Sequence, residues 1–291
     1  MGFTVLVTAA TGKTGRRVTP QLVKRGVTVR AASRNPTAAN TGVEPVRFDW
    51  LDGTSYPAAL AGVDAVYLVS RFLVDFVTDP VEQVGTFLHD AADAGVRRIV
   101  LLSAFGAEHA GADNPLRSVE LLVEGSGMAS TILRPGTFMQ NFSENHMFDL
   151  VGKIRERGEI TLPGGRHPVS YVSTHDIASV AALALTEDGH AGKEYTLTGP
   201  AALTLAEVAE HISAAAGRQV RYVESGPEPI HETLHASGAP AGFAEFMAHL
   251  YIESTTSGAM AAITDHVATV TGRHPTTFAA FAAGAADAWR G

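Results

Sequence analysis

The segment Val5–Arg17, VLVTAATGKTGRR, carries two overlapping patterns that bind phosphate groups. Gly12-Lys13-Thr14 has the form of the end of a P-loop, which binds a nucleoside triphosphate with magnesium. Gly12 and Gly15 also have the spacing of the second and third glycines of the dinucleotide fingerprint G-x-G-x-x-G. The P-loop requires its first glycine at position 7, where Val7 lies in an apolar run and cannot make a tight turn. The segment therefore favours a dinucleotide.

Ala9 occupies the position of the fingerprint's first glycine, and its methyl group fits if the backbone there stays in the right-handed region. The backbone N–H groups of residues 11–15 would then point at a pyrophosphate, which the positive end of the following helix would stabilise. The alternative is an ordinary strand–helix turn without a ligand. The cofactor contacts expected from this turn are Thr8, Thr11, Gly12, Lys13, Thr14 and Gly15.

The next predicted strand ends in a cation instead of an acid. Proteins that bind NAD place an Asp or Glu about 20 residues after the glycines, where it accepts a hydrogen bond from the ribose 2′-hydroxyl. Here Arg34 lies 19 positions after Gly15, and residues 27–36 contain no acid. A guanidinium beside Ser33 would bind the 2′-phosphate of NADPH, with Lys13 as a second cation. Otherwise Arg34 is a solvated charge at the end of a strand.

The first half of the chain alternates short apolar runs with helical patterns, which predicts a parallel sheet covered by helices on both faces. The predicted strands are residues 3–7, 27–32, 44–48, 64–69, 98–102 and 129–134, and the predicted helices between them include 14–25, 80–94 and 115–124. Helical patterns dominate the second half, at 138–157, 176–185, 205–216, 241–254 and 276–289, with brief strands at 194–198 and 220–223.

These patterns predict an α/β fold, a Rossmann-type doubly wound parallel sheet with a smaller, mainly helical C-terminal substrate cap. We expect an NADP(H)-binding Rossmann domain at residues 1–150 and a substrate-binding cap at residues 151–291. Segments within about residues 170–200 are expected to return from the cap to the core.

Composition excludes several other classes of protein. The 291 residues carry a net charge of −8 and no basic run, which argues against nucleic acid and anionic membrane as main partners. The absence of cysteine excludes disulfides and thiol catalysis. No apolar run approaches the roughly 18 residues that span a bilayer. We expect a cytoplasmic monomer or homodimer that acts on a small molecule.

Several segments together point to a known family. They are AATGKTG (9–15), ASRNP (32–36), Phe48-Asp49-Trp50 with Asp52, SGMASTILRPGTFMQNF (126–142) and THDIA (174–178). In combination they resemble the NmrA-like branch of the atypical short-chain dehydrogenase/reductase superfamily. The resemblance implies a Rossmann core, bound NADP(H), an acidic turn that contacts adenine, and a substrate cleft under the cap. Members of this branch include quinone and carbonyl reductases as well as non-catalytic redox sensors.

The chain lacks the Tyr-x-x-x-Lys pair of typical short-chain reductases, in which the lysine lowers the pKa of the phenol so that it protonates the nascent alkoxide. None of the tyrosines, at positions 56, 67, 171, 195, 222 and 251, has lysine four residues later. Ser103 occupies the usual serine position and is the candidate catalytic donor, or else it caps a turn. His146 and Tyr171 are further candidates for the proton donor.

Without that pair, the proton must come from water, the substrate or another side chain. Quinones and aromatic, polyketide-like ketones suit this situation, because conjugation or an internal hydrogen bond stabilises their reduced oxyanions. The strand ends should supply further cofactor contacts at Ser33, Arg34, Asp49, Trp50, Ser70, Arg71, Ser103, Pro135 and Phe138. The substrate pocket is expected at Phe72, Phe105, Met139, Asn141, His146 and Tyr171, each of which would otherwise fill core or surface.

His231-Glu232-Thr233-Leu234-His235 matches the zinc-protease pattern H-E-x-x-H. Pro229 and Gly238 confine this helix to two turns, and no third ligand follows at a suitable spacing, so we expect no metal. The predicted function is that of an NADPH-dependent carbonyl or quinone reductase of secondary metabolism. The alternative is a non-catalytic NADP(H)-sensing regulator of the NmrA type. An intact apolar cleft would favour the enzyme.

Overall fold

The computed structural model describes residues 2–36 and 42–290. The chain divides into two compact units. Unit 1 comprises residues Met1–Pro135, Thr174–Leu197 and Thr269–Gly272. Unit 2 comprises residues Gly136–Ser173, Thr198–Ala268 and Arg273–Gly291. The first segment of unit 1 thus ends at Pro135, before the expected boundary at residue 150. Unit 1 also includes Thr174–Leu197, which lies within the segment of about residues 170–200 expected to return to the core.

A seven-stranded sheet forms the centre of unit 1, in the order β10-β6-β5-β4-β1-β2-β3, and all its strand pairs are parallel. Its strands are β1 (Thr4–Val7), β2 (Thr28–Ser33), β3 (Val43–Arg47), β4 (Ala65–Val69), β5 (Arg98–Leu102), β6 (Ala129–Pro135) and β10 (Lys193–Leu197). The strand order reverses direction between β1 and β4, which is where open sheets of this kind bind nucleotides. The predicted doubly wound α/β fold is confirmed.

The α-helices of the described residues cover this sheet and build most of unit 2. They are α1 (Gly15–Lys24), α2 (Tyr56–Leu60), α3 (Val81–Asp93), α4 (Pro115–Glu124), α5 (Leu150–Arg157), α6 (Thr174–Thr186), α7 (Leu205–Ala216), α8 (Glu228–Ala236), α9 (Ala241–Thr256), α10 (His266–Thr271) and α11 (Phe278–Gly284).

The central strands of unit 1 are apolar on both faces because helices cover both faces. Val5, Leu6 and Val7 in β1 are all 0% exposed. Helix α4 begins where the sequence predicts, because Asn114 accepts hydrogen bonds from the N–H groups of Leu116 and Arg117. The next residue, Pro115, has a fixed φ that suits the first turn of a helix.

Unit 2 contains two small sheets that the sequence patterns only partly predict. One has the order β11-β9-β7 and the other pairs β12 with β8. Their strands are β7 (Thr137–Phe138), β8 (Glu159–Leu162), β9 (Val169–Val172), β11 (Ala202–Leu203) and β12 (Arg221–Glu224). These strands are two to four residues long, too short for a period of two to separate them from loops.

The predicted helix at 138–157 is wrong over its first half. Phe138 belongs to β7, residues 139–141 form a 3-10 turn, and α5 begins at Leu150. Asp149 has a φ of +47°, which interrupts a right-handed helix. The carbonyl of Phe142 accepts a hydrogen bond of 2.6 Å from the indole N–H of Trp289 in place of a helical one. Contacts from a distant part of unit 2 therefore override the local helical pattern.

Candidate functional site: strand ends of unit 1 and a cavity in unit 2

The turn after β1 packs helix and strand closely at the two glycines. A Cβ added at Gly15 would lie 1.9 Å from the carbonyl oxygen of Ala9, and one at Gly12 would lie 3.2 Å from it. Gly15 therefore plays the part of the fingerprint's third glycine, which permits close packing between helix and strand. Ala9 is not among the described non-glycine residues with positive φ. Its backbone therefore stays out of the left-handed region, which is the condition under which a methyl group fits at this position.

In the first turn of α1, the N–H groups of Arg16 and Arg17 donate to the carbonyls of Gly12 and Thr14 at 3.1 and 2.9 Å. Thr14 makes no side-chain hydrogen bond to this turn. The N–H of Gly12 donates to the carbonyl of Ala9 at 3.0 Å, so this amide serves the turn itself and is not directed at a ligand, unlike the expectation for residues 11–15. The positive end of the α1 dipole still lies at this turn.

Thr8 connects the two strands at which the sheet reverses order. Its hydroxyl accepts a hydrogen bond of 2.9 Å from the N–H of Val69. Its backbone N–H donates to the carbonyl of Tyr67 at 3.1 Å. Thr8 is 5% exposed, so it acts chiefly by fixing the carboxyl ends of β1 and β4 relative to each other.

Arg34, at the carboxyl end of β2, is engaged by an acid from the loop after β4. Its guanidinium donates to one carboxylate oxygen of Asp75 at 3.0 Å. Arg71 donates to the same oxygen at 3.1 Å. The Arg34 side chain is 63% exposed, whereas that of Arg71 is 13% exposed. The predicted phosphate ligand Arg34 and the predicted cofactor contact Arg71 are thus brought together, around an acid that the sequence pattern does not reveal.

The acidic turn after β3 is held by its own contacts. Asp49 accepts a hydrogen bond from the N–H of Leu51 at 3.0 Å. Asp52 accepts from Arg47 at 2.8 Å, and hydrogen bonds from Thr54 and Arg47 lower its pKa. Trp50 packs at the edge of the unit 1 core, with its ring centroid 5.3 Å from that of Phe87. The indole therefore has a structural role whether or not it also contacts a base.

Ser103 follows β5, and its hydroxyl donates a hydrogen bond of 2.6 Å to Glu120 in α4. Arg134 donates two hydrogen bonds of 2.8 Å to the same carboxylate, and Arg117 donates one of 2.8 Å. Glu120 is 0% exposed. Because a serine hydroxyl has one proton, in this arrangement Ser103 offers no donor to a reacting oxygen. The role of Ser103 as the catalytic donor stays a prediction, which this hydrogen bond does not favour.

The charges around Glu120 stabilise its ionised form. Burial alone would raise the pKa of Glu120, but hydrogen bonds from Arg134, Ser103 and Arg117 outweigh burial and lower it. Burial would likewise lower the pKa of Arg134, and the hydrogen bonds with Glu120 and Glu194 raise it above the ordinary value. Glu120 and Arg134 are therefore a buried ion pair, as expected for an anchor within the fold.

Unit 2 contains an apolar cavity of about 120 Å³. It is lined by Met139, Tyr171, Pro200, Ala201, Leu203, His211, Thr277, Phe278 and Ala279. The ring of Phe278 lies 5.6 Å from that of Tyr171 at a steep angle, and 5.9 Å from the imidazole of His211 in a stacked orientation. Aromatic rings thus form two walls of the cavity.

The cavity contains two of the six predicted pocket residues, Met139 and Tyr171. Asn141 and His146 belong to unit 2 but do not line it, and Phe72 and Phe105 belong to unit 1. His146 accepts a hydrogen bond of 3.2 Å from the N–H of Phe148. Sequence reasoning missed Leu203, His211 and Phe278, which come from separate elements and share no local pattern.

Tyr171 is poorly suited to donate a proton. It is 4% exposed, and burial raises the pKa of its phenol above the ordinary value of 10.0. A general acid works best with a pKa near the working pH. Tyr171 lines the cavity, and its raised pKa does not favour the predicted role of proton donor, which stays untested.

The H-E-x-x-H segment lies in α8, where Ile230 and Leu234 are the buried residues. Within the described residues, no three His, Cys, Asp or Glu side chains come together as metal ligands. In residues 2–36 and 42–290, no helix has both the length and the apolarity to cross a membrane.

The model of the NmrA-like family matches residues 1–282. The chain belongs to this family. It is 37% identical to the uncharacterized oxidoreductase YesF of Bacillus subtilis, over 98% of this chain and 96% of that protein. It is 36% identical to the NAD(P)H azoreductase of Xenophilus azovorans, over 96% of both chains. Among solved structures, the NADPH-dependent quinone oxidoreductase QOR2 of Escherichia coli, complexed with NADPH, matches with a TM-score of 0.80 and 26% identity, over 96% of this chain and 99% of that one.

Proposed function

We propose that this protein is an NADPH-dependent reductase that transfers hydride to a quinone or an aromatic ketone. The observation that carries the proposal is the pair formed by the glycine turn at Gly15 and the cation Arg34 at the next strand end. A relative that uses NAD(P)H and a structural neighbour with bound NADPH support the choice of cofactor.

The residues of unit 1 fit the parts of NADPH. The turn from Thr11 to Gly15, at the positive end of α1, suits a pyrophosphate. Arg34 and Arg71 present two guanidiniums to a 2′-phosphate, and Lys13 adds a third cation near the turn. When bound, NADPH supplies the hydride. The other strand-end residues expected to contact it are Ser33, Asp49, Trp50, Ser70, Ser103, Pro135 and Phe138.

The cavity of unit 2 supports an aromatic acceptor. The cavity of about 120 Å³ is somewhat smaller than the roughly 150 Å³ that encloses one benzene ring, so it would take no more than one ring of a larger flat molecule. The azo group and the quinone named for the two relatives are both conjugated acceptors. Because the Ser103 hydroxyl donates its hydrogen bond to Glu120 and the sequence has no Tyr-x-x-x-Lys pair, the proton for the reduced acceptor comes from water or from the substrate itself.

Calorimetric titration with NADPH and NADH tests the cofactor assignment. Arg34→Ala should weaken NADPH binding by about 10- to 100-fold, the effect of losing a hydrogen-bonded charge pair, and leave NADH unchanged. Arg97→Ala is the matched control, because Arg97 is 73% exposed, pairs with Asp64 and precedes β5 at its amino end. If the wild-type protein associates with neither nucleotide, the reductase proposal fails.

Rates of NADPH oxidation with different acceptors then distinguish the enzyme from the alternative, a regulator that senses NADP(H). NADPH oxidation should be faster with quinones and hydroxyaryl ketones than with aliphatic ketones. Faster turnover of aliphatic ketones would contradict the aromatic assignment. Tight binding of NADPH without turnover of any of these acceptors would favour the regulator.

A further inference from the structure

The loop after β4 holds an unusual backbone conformation. Leu73, Asp75 and Phe76 have φ values of +61°, +49° and +63°, although none is glycine. Leucine and phenylalanine disfavour this left-handed region, so contacts elsewhere must hold the loop in place. Within the loop, the N–H of Leu73 donates to the carbonyl of Val77 at 2.7 Å.

The carboxylate of Asp75 ties this loop to the end of β2. A single oxygen of Asp75 accepts hydrogen bonds from both Arg34 and Arg71, at 3.0 and 3.1 Å. Arg34 follows β2 and Arg71 follows β4, so the acid joins the ends of two strands that flank β1. An anion thus already lies between the two guanidiniums that the proposed function assigns to the 2′-phosphate.

We infer that Asp75 is a specificity-determining residue that competes with the 2′-phosphate of NADPH for Arg34 and Arg71. The inference rests on the proposed function. A phosphate monoester carries about −1.5 to −2 charges and three acceptor oxygens near neutral pH, whereas the carboxylate carries one charge. The phosphate therefore displaces Asp75 from Arg34.

NADH lacks that phosphate and leaves the ion pair intact. The loop at residues 73–76 is consequently released from β2 by NADPH and not by NADH. Because Leu73 and Phe76 are in a disfavoured conformation, release lets the loop change its backbone geometry. Phe76 is 38% exposed and Val74 is 48% exposed, so neither side chain belongs to the buried core of unit 1.

Asp75→Asn provides the test, because asparagine keeps the size of the side chain and tolerates the left-handed region while removing the charge. The variant should bind NADPH about twofold to fivefold more tightly than the wild-type protein, the range of one well-formed exposed ion pair. It should bind NADH with unchanged affinity. Adenosine 2′,5′-bisphosphate carries the 2′-phosphate, so its affinity should rise in the variant as that of NADPH does. 5′-AMP lacks this phosphate, so its affinity should stay unchanged, as that of NADH does.

Asp79→Asn is the matched control. Asp79 is exposed, lies just beyond the same loop and accepts a hydrogen bond of 3.0 Å from the N–H of Val81, which asparagine also accepts. This variant makes the same change in net charge, and it should leave both affinities at the wild-type values.

Hydrogen exchange gives a readout of the loop itself. Amides of residues 73–77 should exchange faster in the NADPH complex than in the NADH complex of the wild-type protein, and this difference should shrink in Asp75→Asn. If Asp75→Asn binds NADPH no more tightly than the wild-type protein, or if Asp79→Asn shows the same gain, the inference is wrong. If the proposed function itself is wrong, the wild-type protein binds no NADPH, and this outcome is distinct from the two that contradict the inference.

Discussion

Glu120 accepts two hydrogen bonds of 2.8 Å from the guanidinium of Arg134, at a point where neither side chain is more than 3% exposed. The pair joins α4 to the end of β6. It also fixes Ser103, whose hydroxyl donates to the same carboxylate. Removal of one partner from such a pair leaves a buried charge without compensation, which is strongly destabilising.

The stability of the protein should therefore depend on the charge of Glu120. Glu120→Gln should lower the free energy of unfolding by about 3–5 kcal/mol at neutral pH. Because the folded-state pKa of Glu120 lies below the ordinary value of 4.5, its stabilising effect is complete above about pH 4.5. The effect is lost as the pH falls below that value through the folded-state pKa.

Urea unfolding of wild-type and Glu120→Gln proteins over a series of acidic pH values checks this. The difference between the two should be large at neutral pH and should shrink as the pH falls below about 4.5. Glu210→Gln, at an exposed position of α7, is the control and should differ little from wild type at any pH. If the difference in the free energy of unfolding between the two proteins stays constant as the pH falls below about 4.5, Glu120 does not stabilise the fold through its charge.

Ser103→Ala should leave turnover within about tenfold of the wild-type rate, because the serine proton is directed to Glu120. A general acid in the reaction would instead contribute about 10²–10⁴-fold. The free energy of unfolding should fall by about 1.5–3 kcal/mol, the effect of a hydrogen bond to a charged group. Steady-state rates and urea unfolding on the same preparation measure both. A loss of turnover beyond 100-fold, with the fold intact, would restore Ser103 as a catalytic donor.

The cavity of unit 2 can be narrowed by a substitution within unit 2 itself. Ala279 lines the cavity, and the adjacent residue of α11, Ala280, is exposed and does not line it. Ala279→Leu should raise KM for aromatic acceptors and leave the Kd for NADPH unchanged, because the added carbons occupy space that the ring requires. Ala280→Leu should change neither. Equal KM values for the two variants would exclude this cavity as the substrate's binding site.

The sequence predicts the parts of the molecule that depend on local patterns. Strands β1, β4 and β5 of unit 1 are nearly continuous apolar runs because both faces of the sheet are covered there, and such runs are visible without a structure. The start of α4 follows from Asn114 and Pro115, which act on their own first turn. The glycine turn is equally local, since Gly12 and Gly15 contact Ala9.

The features that sequence reasoning missed depend on residues far apart in the chain. Arg34 and Asp75 are 41 positions apart, and Ser103 and Glu120 are 17 apart. No periodicity links such pairs, so the partner of each predicted site residue became known only from the structure. The helix predicted at 138–157 failed for a similar reason, because Trp289 engages the carbonyl of Phe142.

Gly15 provides the most direct test of the turn on which cofactor binding depends. Gly15→Ala would place a methyl group 1.9 Å from the carbonyl oxygen of Ala9, and backbone atoms would have to move. We expect the free energy of unfolding to fall by about 3 kcal/mol, as in other overpacked sites, and NADPH binding to weaken severely. Gly12→Ala, with its contact at 3.2 Å, should have a smaller effect in the same direction.

Gly85→Ala separates the effect of this contact from the general effect of replacing a helical glycine. Gly85 lies within α3, and an added Cβ would meet only the side chain of Leu122 at 3.9 Å, an ordinary contact. Because alanine favours a helix over glycine, Gly85→Ala should raise the free energy of unfolding by about 0.5–1 kcal/mol. Urea unfolding and NADPH titration of the three variants measure these effects. A Gly15→Ala protein as stable as wild type, with unchanged affinity for NADPH, would show that the turn does not need the close approach of helix and strand.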